Sequence, residues 1–398
     1  MPLIKTLLSY VPLLGGLAFA VHFSDAQEDG NFTDEMLEAL LFGEDENDIP
    51  TSTPSIWSKN LNLSFGGGHS SNPLQGPHVQ TQAGFGTASL DSFLLRMGKN
   101  SSVFYLYLFA EGSHYEGIPE LELAGIALAQ AEYSTTSPIT GFGRGIRLRH
   151  TYYDMVFDMS ENLDSPYSFT VQSNKSEARP FVSFPLGEKL TGTLEMAAAR
   201  DVYAISSEDY GEKEFRSIVK WKGNNEAAVN FSTYSRWRDY DERSQRDSSG
   251  FQLASGTLDT RTVGATVSGS KKLGASKDWE VSLSLFANET GDNSGGYYDY
   301  RTLGSRMRLE YETENWTFSA SASGSESKYD VRPVLDSNWM PTGKIFSRQS
   351  WETELSIERK ISEDWKLYAK WNEGADQSND PSYEYEATAI SAGVKWSH

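Results

Sequence analysis

Residues 279–287 read Trp-Glu-Val-Ser-Leu-Ser-Leu-Phe-Ala, and the period of that stretch decides the fold. Trp279, Val281, Leu283, Leu285 and Ala287 are apolar, while Glu280, Ser282, Ser284 and Asn288 between and after them are polar. Successive side chains of a strand point to opposite faces, so a period of two gives one oily face and one wet face. The pattern recurs downstream. Leu303, Met307, Leu309 and Tyr311 alternate with Thr302, Arg306, Arg308 and Glu310, and Trp316, Phe318, Ala320 and Ala322 with Thr317, Ser319, Ser321 and Ser323. Trp351, Leu355 and Ile357 oppose Glu352, Glu354 and Glu358; Trp365, Leu367, Ala369 and Trp371 oppose Lys366, Tyr368 and Lys370; Ile390, Ala392, Val394 and Trp396 oppose Ser391, Lys395 and Ser397. Upstream the same signal is noisier but visible around 61–65, 190–198, 215–221, 227–231 and 263–267. Over 86–112 and 144–158 both faces are apolar in places, which leaves the register open there.

The connections separate a membrane barrel from a soluble sandwich. Short turns at 98–101, 134–143, 187–189, 222–226, 312–316 and 359–365, with 269–278 somewhat longer, alternate with long polar segments near 239–258, 289–298, 325–347 and 373–383. Transmembrane barrels show this asymmetry, with short periplasmic turns and longer external loops. Trp279, Trp316 and Trp365 each follow a short turn and Trp221 and Trp396 end descending strands, so these five define a membrane-interface rim. Trp237, Trp351 and Trp371 fall at the other strand ends, as a second girdle would. Counting turns from Trp57 to the end gives about sixteen strands, with fourteen as the alternative because residues 166–185 are ambiguous. The expected fold is all-β: a transmembrane antiparallel up-and-down β-barrel over residues 57–398, preceded by a short helix.

Two segments precede the barrel. Residues 1–26 carry Lys5, an apolar run from Leu7 to Ala20 and small residues before polar Gln27, the order of a secretory signal peptide. Cleavage after Ala20 or Ala26 fits, and the second leaves the polar start. Residues 27–56 hold nine acids and no base. Thr33 caps a short helix there whose apolar face is Met36, Leu37, Leu40 and Leu41, closed by Gly43. This segment suits either a plug or, over 27–50, docking to a periplasmic partner; a tethered, solvated tail is the plainer alternative.

Composition excludes other classes. Lys and Arg total 35 against 55 Asp and Glu, a net charge of −20, which disfavours nucleic acid as a partner. With no cysteine there is no disulfide, thiol nucleophile or thiolate zinc site. No metal site or cofactor is expected, since the acids near Asp292 lack the spacing of a calcium loop.

Residues 57–398 resemble the outer-membrane β-barrel proteins of Gram-negative bacteria in porin-like architecture, without a motif for one family. The last strand, Tyr385 to Trp396, resembles the C-terminal signal those proteins present to the barrel-assembly machinery, although Ser397 and His398 follow the aromatic residue. The resemblance implies a bacterial outer-membrane location with outer-membrane lipids as surroundings. Alternation then turns Arg147, Arg149, Arg216, Lys220, Arg236, Arg238, Arg306 and Arg308 toward the lumen, opposed by Glu352, Glu354 and Glu358. Such rows would set a transverse field in a water-filled pore passing small hydrophilic solutes. Mutual satisfaction of Arg and Glu across strands, in a structural or adhesive barrel with a filled lumen, is the alternative. A hydrolase would need a histidine beside a nucleophile or carboxylate. His69 and His114 sit near external strand ends but have no nucleophile motif around them, so no catalytic residue and no enzyme is expected.

Overall fold

The computed structural model describes residues 56–398, apart from short stretches at 78–80, 99–100, 119–120, 122, 159–167, 224–225, 275–277 and 337–339. The signal peptide expected over residues 1–26 and the helix expected in the acidic segment lie outside the described residues. Sixteen antiparallel strands follow one another and close, the first pairing with the last. They are β1 (Ile56–Ser70), β2 (Ala83–Met97), β3 (Ser102–Tyr115), β4 (Leu123–Thr136), β5 (Gly143–Asp158), β6 (Ser168–Gly187), β7 (Leu190–Tyr203) and β8 (Tyr210–Lys222). The second half comprises β9 (Ala227–Arg246), β10 (Gln252–Leu273), β11 (Trp279–Asp292), β12 (Tyr300–Glu312), β13 (Trp316–Leu335), β14 (Pro341–Lys360), β15 (Trp365–Ser378) and β16 (Tyr385–Ser397).

Closure removes every free sheet edge, which a bilayer requires because it offers no partner for an unpaired backbone group. The outer wall exposes Phe65, Leu148, Leu194, Phe231, Val267, Leu285, Met307, Leu355 and Ile390, a surface that no protein keeps in water. On β11 this band runs from Trp279 to Ala287 and ends at Glu289, which pairs with Arg301 of β12 at 3.4 Å. Ten residues at about 3.3 Å each, tilted by about 40°, span roughly 25 Å, the height of a lipid-facing band.

The external segments differ from the expectation. Stretches expected as long loops at 239–258 and 325–347 are mostly strand, because the β9–β10 and β13–β14 hairpins continue beyond the apolar band, β9 to Arg246 and β10 from Gln252, β13 to Leu335 and β14 from Pro341. The segment 373–383 is likewise strand as far as Ser378, and 289–298 as far as Asp292. Above the lipid neither face needs to be apolar, so the alternation that marks a membrane strand disappears while pairing continues. At the other end Leu273 closes β10, so the turn expected over 269–278 is shorter. Residues 168–187 form one full strand, which settles the count at sixteen; Pro180 lacks an amide proton and the pairing with β7 is interrupted there.

One exception to the alternation has a physical role. Phe286 points inward and lies over Gly304 of β12, where a Cβ would collide with the ring. The same device crosses the closing seam: the Tyr368 hydroxyl of β15 reaches over Gly393 of β16 to Gly66 of β1. Aromatic cover of bare glycine backbone restores the packing that glycine forgoes.

Candidate functional site: the lumen wall

Strand pairing fixes which residues share the inner face. From β5 to β9 that face carries Arg147, Arg149, Lys175, Glu177, Arg179, Glu195, Glu212, Glu214, Arg216, Arg236 and Arg238. They form one lattice. Arg179 donates to Glu214 (2.8 Å), Glu177 (2.8 Å) and Glu195 (3.1 Å). Glu214 also accepts from Arg216 (3.1 Å) and Arg236 (3.0 Å), while Glu212 accepts from Arg238 (2.7 Å) and Lys175 (3.3 Å). At the near edge Arg147 donates to Glu132 (2.9 Å) and Arg149 to the Gln130 amide oxygen (2.7 Å).

Small residues make the lattice possible. Arg179 of β6 and Glu214 of β8 flank Ala197 of β7, and Lys175 of β6, opposite Asp201, reaches Glu212 of β8 diagonally past Ala199. A larger side chain at either alanine would stand in the path of the ion pairs. The guanidinium groups of Arg216 and Arg236 lie over the Tyr234 ring, and that of Arg238 over Tyr210 at 4.9 Å. Arg216, Arg236 and Arg238 are consequently only 4–6% exposed. Buried ions survive only when every charge has partners.

The opposite wall is built differently. In a ring of sixteen, β14 stands eight strands from β6. Arg306 and Arg308 of β12 face Ser323 and Ser321 of β13, which in turn face Glu352 and Glu354 of β14. The basic row of β12 and the acidic row of β14 are thus two strands apart. Glu354 pairs with Lys370 (2.7 Å), Glu358 with Lys366 (3.3 Å) and Lys395 (3.4 Å), and Arg308 with Glu310 (2.7 Å), all partly exposed. Lys220 points inward on β8, facing Thr191 of β7 and Asn230 of β9. On β2 and β3 the inner face is aromatic, with Phe93, Tyr105 and Tyr107 buried; Tyr107 donates to Asp91 (2.9 Å) and Tyr105 to Glu132 (3.1 Å).

Sequence reasoning found the inward arginines and passed over the acids between them. Glu177 and Arg179 fall in the stretch where the strand count was open, and Glu212 and Glu214 are visible as the alternate positions preceding Arg216 on the same strand. At the turn-side rim Trp221, Trp279, Trp316 and Trp365 are exposed at strand ends, and Trp396 pairs across from Trp365. Trp279 stacks on Tyr311 (4.4 Å) and Arg359 lies over Trp316 (5.2 Å).

At the opposite mouth the connections fold against one another. Arg332, buried, lies within 5.6 Å of the Tyr297, Tyr329, Phe346 and Tyr383 rings and donates to the Tyr383 hydroxyl at 2.9 Å. Burial pushes that phenol up to about 12. Arg243 of β9 donates to Glu208, in the β7–β8 connection, at 3.2 Å; burial raises the Glu208 carboxyl above its ordinary value although Arg243 opposes the shift. Leu74, Ile118, Leu121 and Val156 form an apolar cluster under the β1–β2 and β3–β4 connections. Among the described residues, His69, His114 and His150 lie away from the lumen. His69 and His114 are exposed on the outer face, and His150 and Ser176 meet at 2.9 Å on the outer wall.

No family model matches the sequence, and no curated protein matches it. Among solved structures the chain is similar to OccK2 (OpdF) of Pseudomonas aeruginosa, with 11% identity over 85% of this chain and 97% of that one and a TM-score of 0.42. The anion-selective porin from Comamonas acidovorans gives 8% identity over 86% and 100%, TM-score 0.45. BamA from Haemophilus ducreyi lacking POTRA domains 1–3 gives 11% over 87% and 71%, TM-score 0.43. The chain's own geometry carries the assignment: an even-numbered, closed, antiparallel barrel with an apolar outer band and a polar inner face is a bacterial outer-membrane β-barrel of porin-like architecture.

Proposed function

We propose that the barrel is a passive, non-enzymatic diffusion pore for small hydrophilic solutes. The observation that carries this reading is the inner face itself. Along β10 to β14 it is almost entirely hydroxyl and charged: Thr262, Ser268, Ser284, Ser321, Ser323 and Glu352 repeat where a filled apolar core would place Leu and Val. Such a wall favours water and offers a polar solute replacement hydrogen bonds along its path. The sequence-derived lining residues divide within this function. Arg306, Arg308, Glu352, Glu354 and Glu358 border the path, whereas Arg216, Arg236 and Arg238 stiffen the wall opposite. The exposed Trp rim anchors the barrel at the periplasmic interface, and β16 presents the assembly signal. Residues 27–50 act on the periplasmic side, where β1 begins, as plug or docking peptide.

A structural or adhesive barrel is the second reading, favoured by the buried lattice and the packed external connections. Single-channel recording of the refolded barrel in a planar bilayer separates the two. Stable open steps are expected; a folded barrel without current establishes the filled barrel instead.

A further inference from the structure

The inward charges fall into two populations. Those of β6 to β9, apart from Lys220 and Lys222 near the turn-side rim, are packed against one another and mutually neutralised, as described above, so they present little field to a passing solute. Away from the two rims, Glu111 of β3 and Glu352 of β14 are the only inward side chains among the described residues that remain exposed. An inward side chain stays exposed only where water has room beside it, so these two positions mark the open part of the lumen. Both are carboxylates, and neither makes an ion pair among the described residues. They stand at similar depth: Glu111 is nine residues from the β3 start at Ser102, and Glu352 eight from the β14 end at Lys360, both measured from the turn-side rim.

The wall between them explains the room. Passing from β14 to β3 through the seam, the inner face presents Gly374, Ala389, Gly393, Gly68 and Gly66, with Tyr368 lying flat across the seam. Asp91 adds a third carboxylate on this side, held by the Tyr107 hydroxyl and by the Asn62 amide at 3.4 Å, again without a cationic partner among the described residues. Arg306 stands two strands from Glu352, across Ser323, and Lys370 is already engaged by Glu354.

The geometry points to a cation-preferring pore, in which solutes travel along the seam wall between β14 and β3 past Glu111 and Glu352. This rests on the pore reading above and adds to it the class of solute: small inorganic cations and small organic ammonium ions over anions of equal size. Fixed charges in a narrow space with low-dielectric walls focus their field on the axis. The preference therefore weakens once the Debye length, about 10 Å at 0.1 M salt, falls to about 3 Å at 1 M.

The test is the reversal potential of the refolded full-length barrel under about a tenfold KCl gradient, compared with E111Q/E352Q. The wild type is expected to favour potassium over chloride several-fold at low salt, and the double variant to bring that ratio close to unity. Because both residues are exposed, the double variant should fold as the parent does, which heat-modifiable gel mobility checks. Preference for chloride, or a potassium preference unchanged in the double variant, overturns the inference while leaving the pore intact. Absence of any current from a folded wild-type barrel overturns the pore reading and this inference with it.

Discussion

The wall from β6 to β9 and the wall from β14 through the seam to β3 are both polar, yet they are opposites. The first packs Lys175, Arg179, Glu212, Glu214, Arg216, Arg236 and Arg238 into a desolvated lattice over the alanines of β7. The second leaves Glu111 and Glu352 in water over glycine and alanine. Charge near a lumen therefore says little about a pore until its exposure is known. In the first wall charges replace a hydrophobic core as the filling of a barrel half, and in the second they remain available to a solute.

The largest way to break the contrast is to remove the hub of the lattice. Glu214→Ala leaves Arg179, Arg216 and Arg236 without their shared acid and should cost about 3–5 kcal/mol, the penalty of an uncompensated buried charge. Glu354→Ala, which frees only the half-exposed Lys370, should cost about 0.2–1 kcal/mol. Urea titrations of both variants in lipid vesicles measure the difference, and equal losses would show that the two walls are alike.

A smaller effect comes from shape alone. Ala197→Leu keeps every charge but fills the gap through which Arg179 reaches Glu214, and overpacking of this kind costs about 1–3 kcal/mol. The same change at Ala389 on the seam side, where there is room, should leave the urea midpoint unchanged and reduce conductance instead.

How much of this was legible in the sequence follows from where the solvent changes. Between Trp279 and Trp396 lipid on one side and water on the other impose a strict period of two, so strands, turns and inward faces can be read directly. Above the lipid that contrast is gone, and residues 240–246 and 325–335 continue as strand without an amphipathic signal. Along β2 and β3 the inner face is itself aromatic, and Phe93, Tyr105 and Tyr107 blur the period. The inward arginines could be named from parity. Their burial could not, because it depends on acids of the same and the neighbouring strand and on Arg179, which reaches Glu214 from two strands away past Ala197, relations that need the register.

The smallest effect concerns the external mouth. Burial raises the Glu208 carboxyl, so the folded barrel holds its proton more tightly than the unfolded chain does. Stability from this group is full below the ordinary glutamate range near 4.5 and is lost as pH rises through the raised value. Proteolytic nicking of 204–209 should therefore increase with pH above that range in the wild type and become flat in Glu208→Gln; an unchanged slope in the variant would assign the effect elsewhere.

Because the chain has no cysteine, the division between the two walls can be measured with single substitutions. Glu111→Cys and Glu352→Cys on the seam side, and Ser232→Cys and Ala197→Cys on the lattice side, would be exposed to a small water-soluble thiol reagent in the native membrane. Rapid labelling is expected at 111 and 352, and protection at 232 and 197 until the barrel is denatured. Equal labelling at all four positions would contradict it.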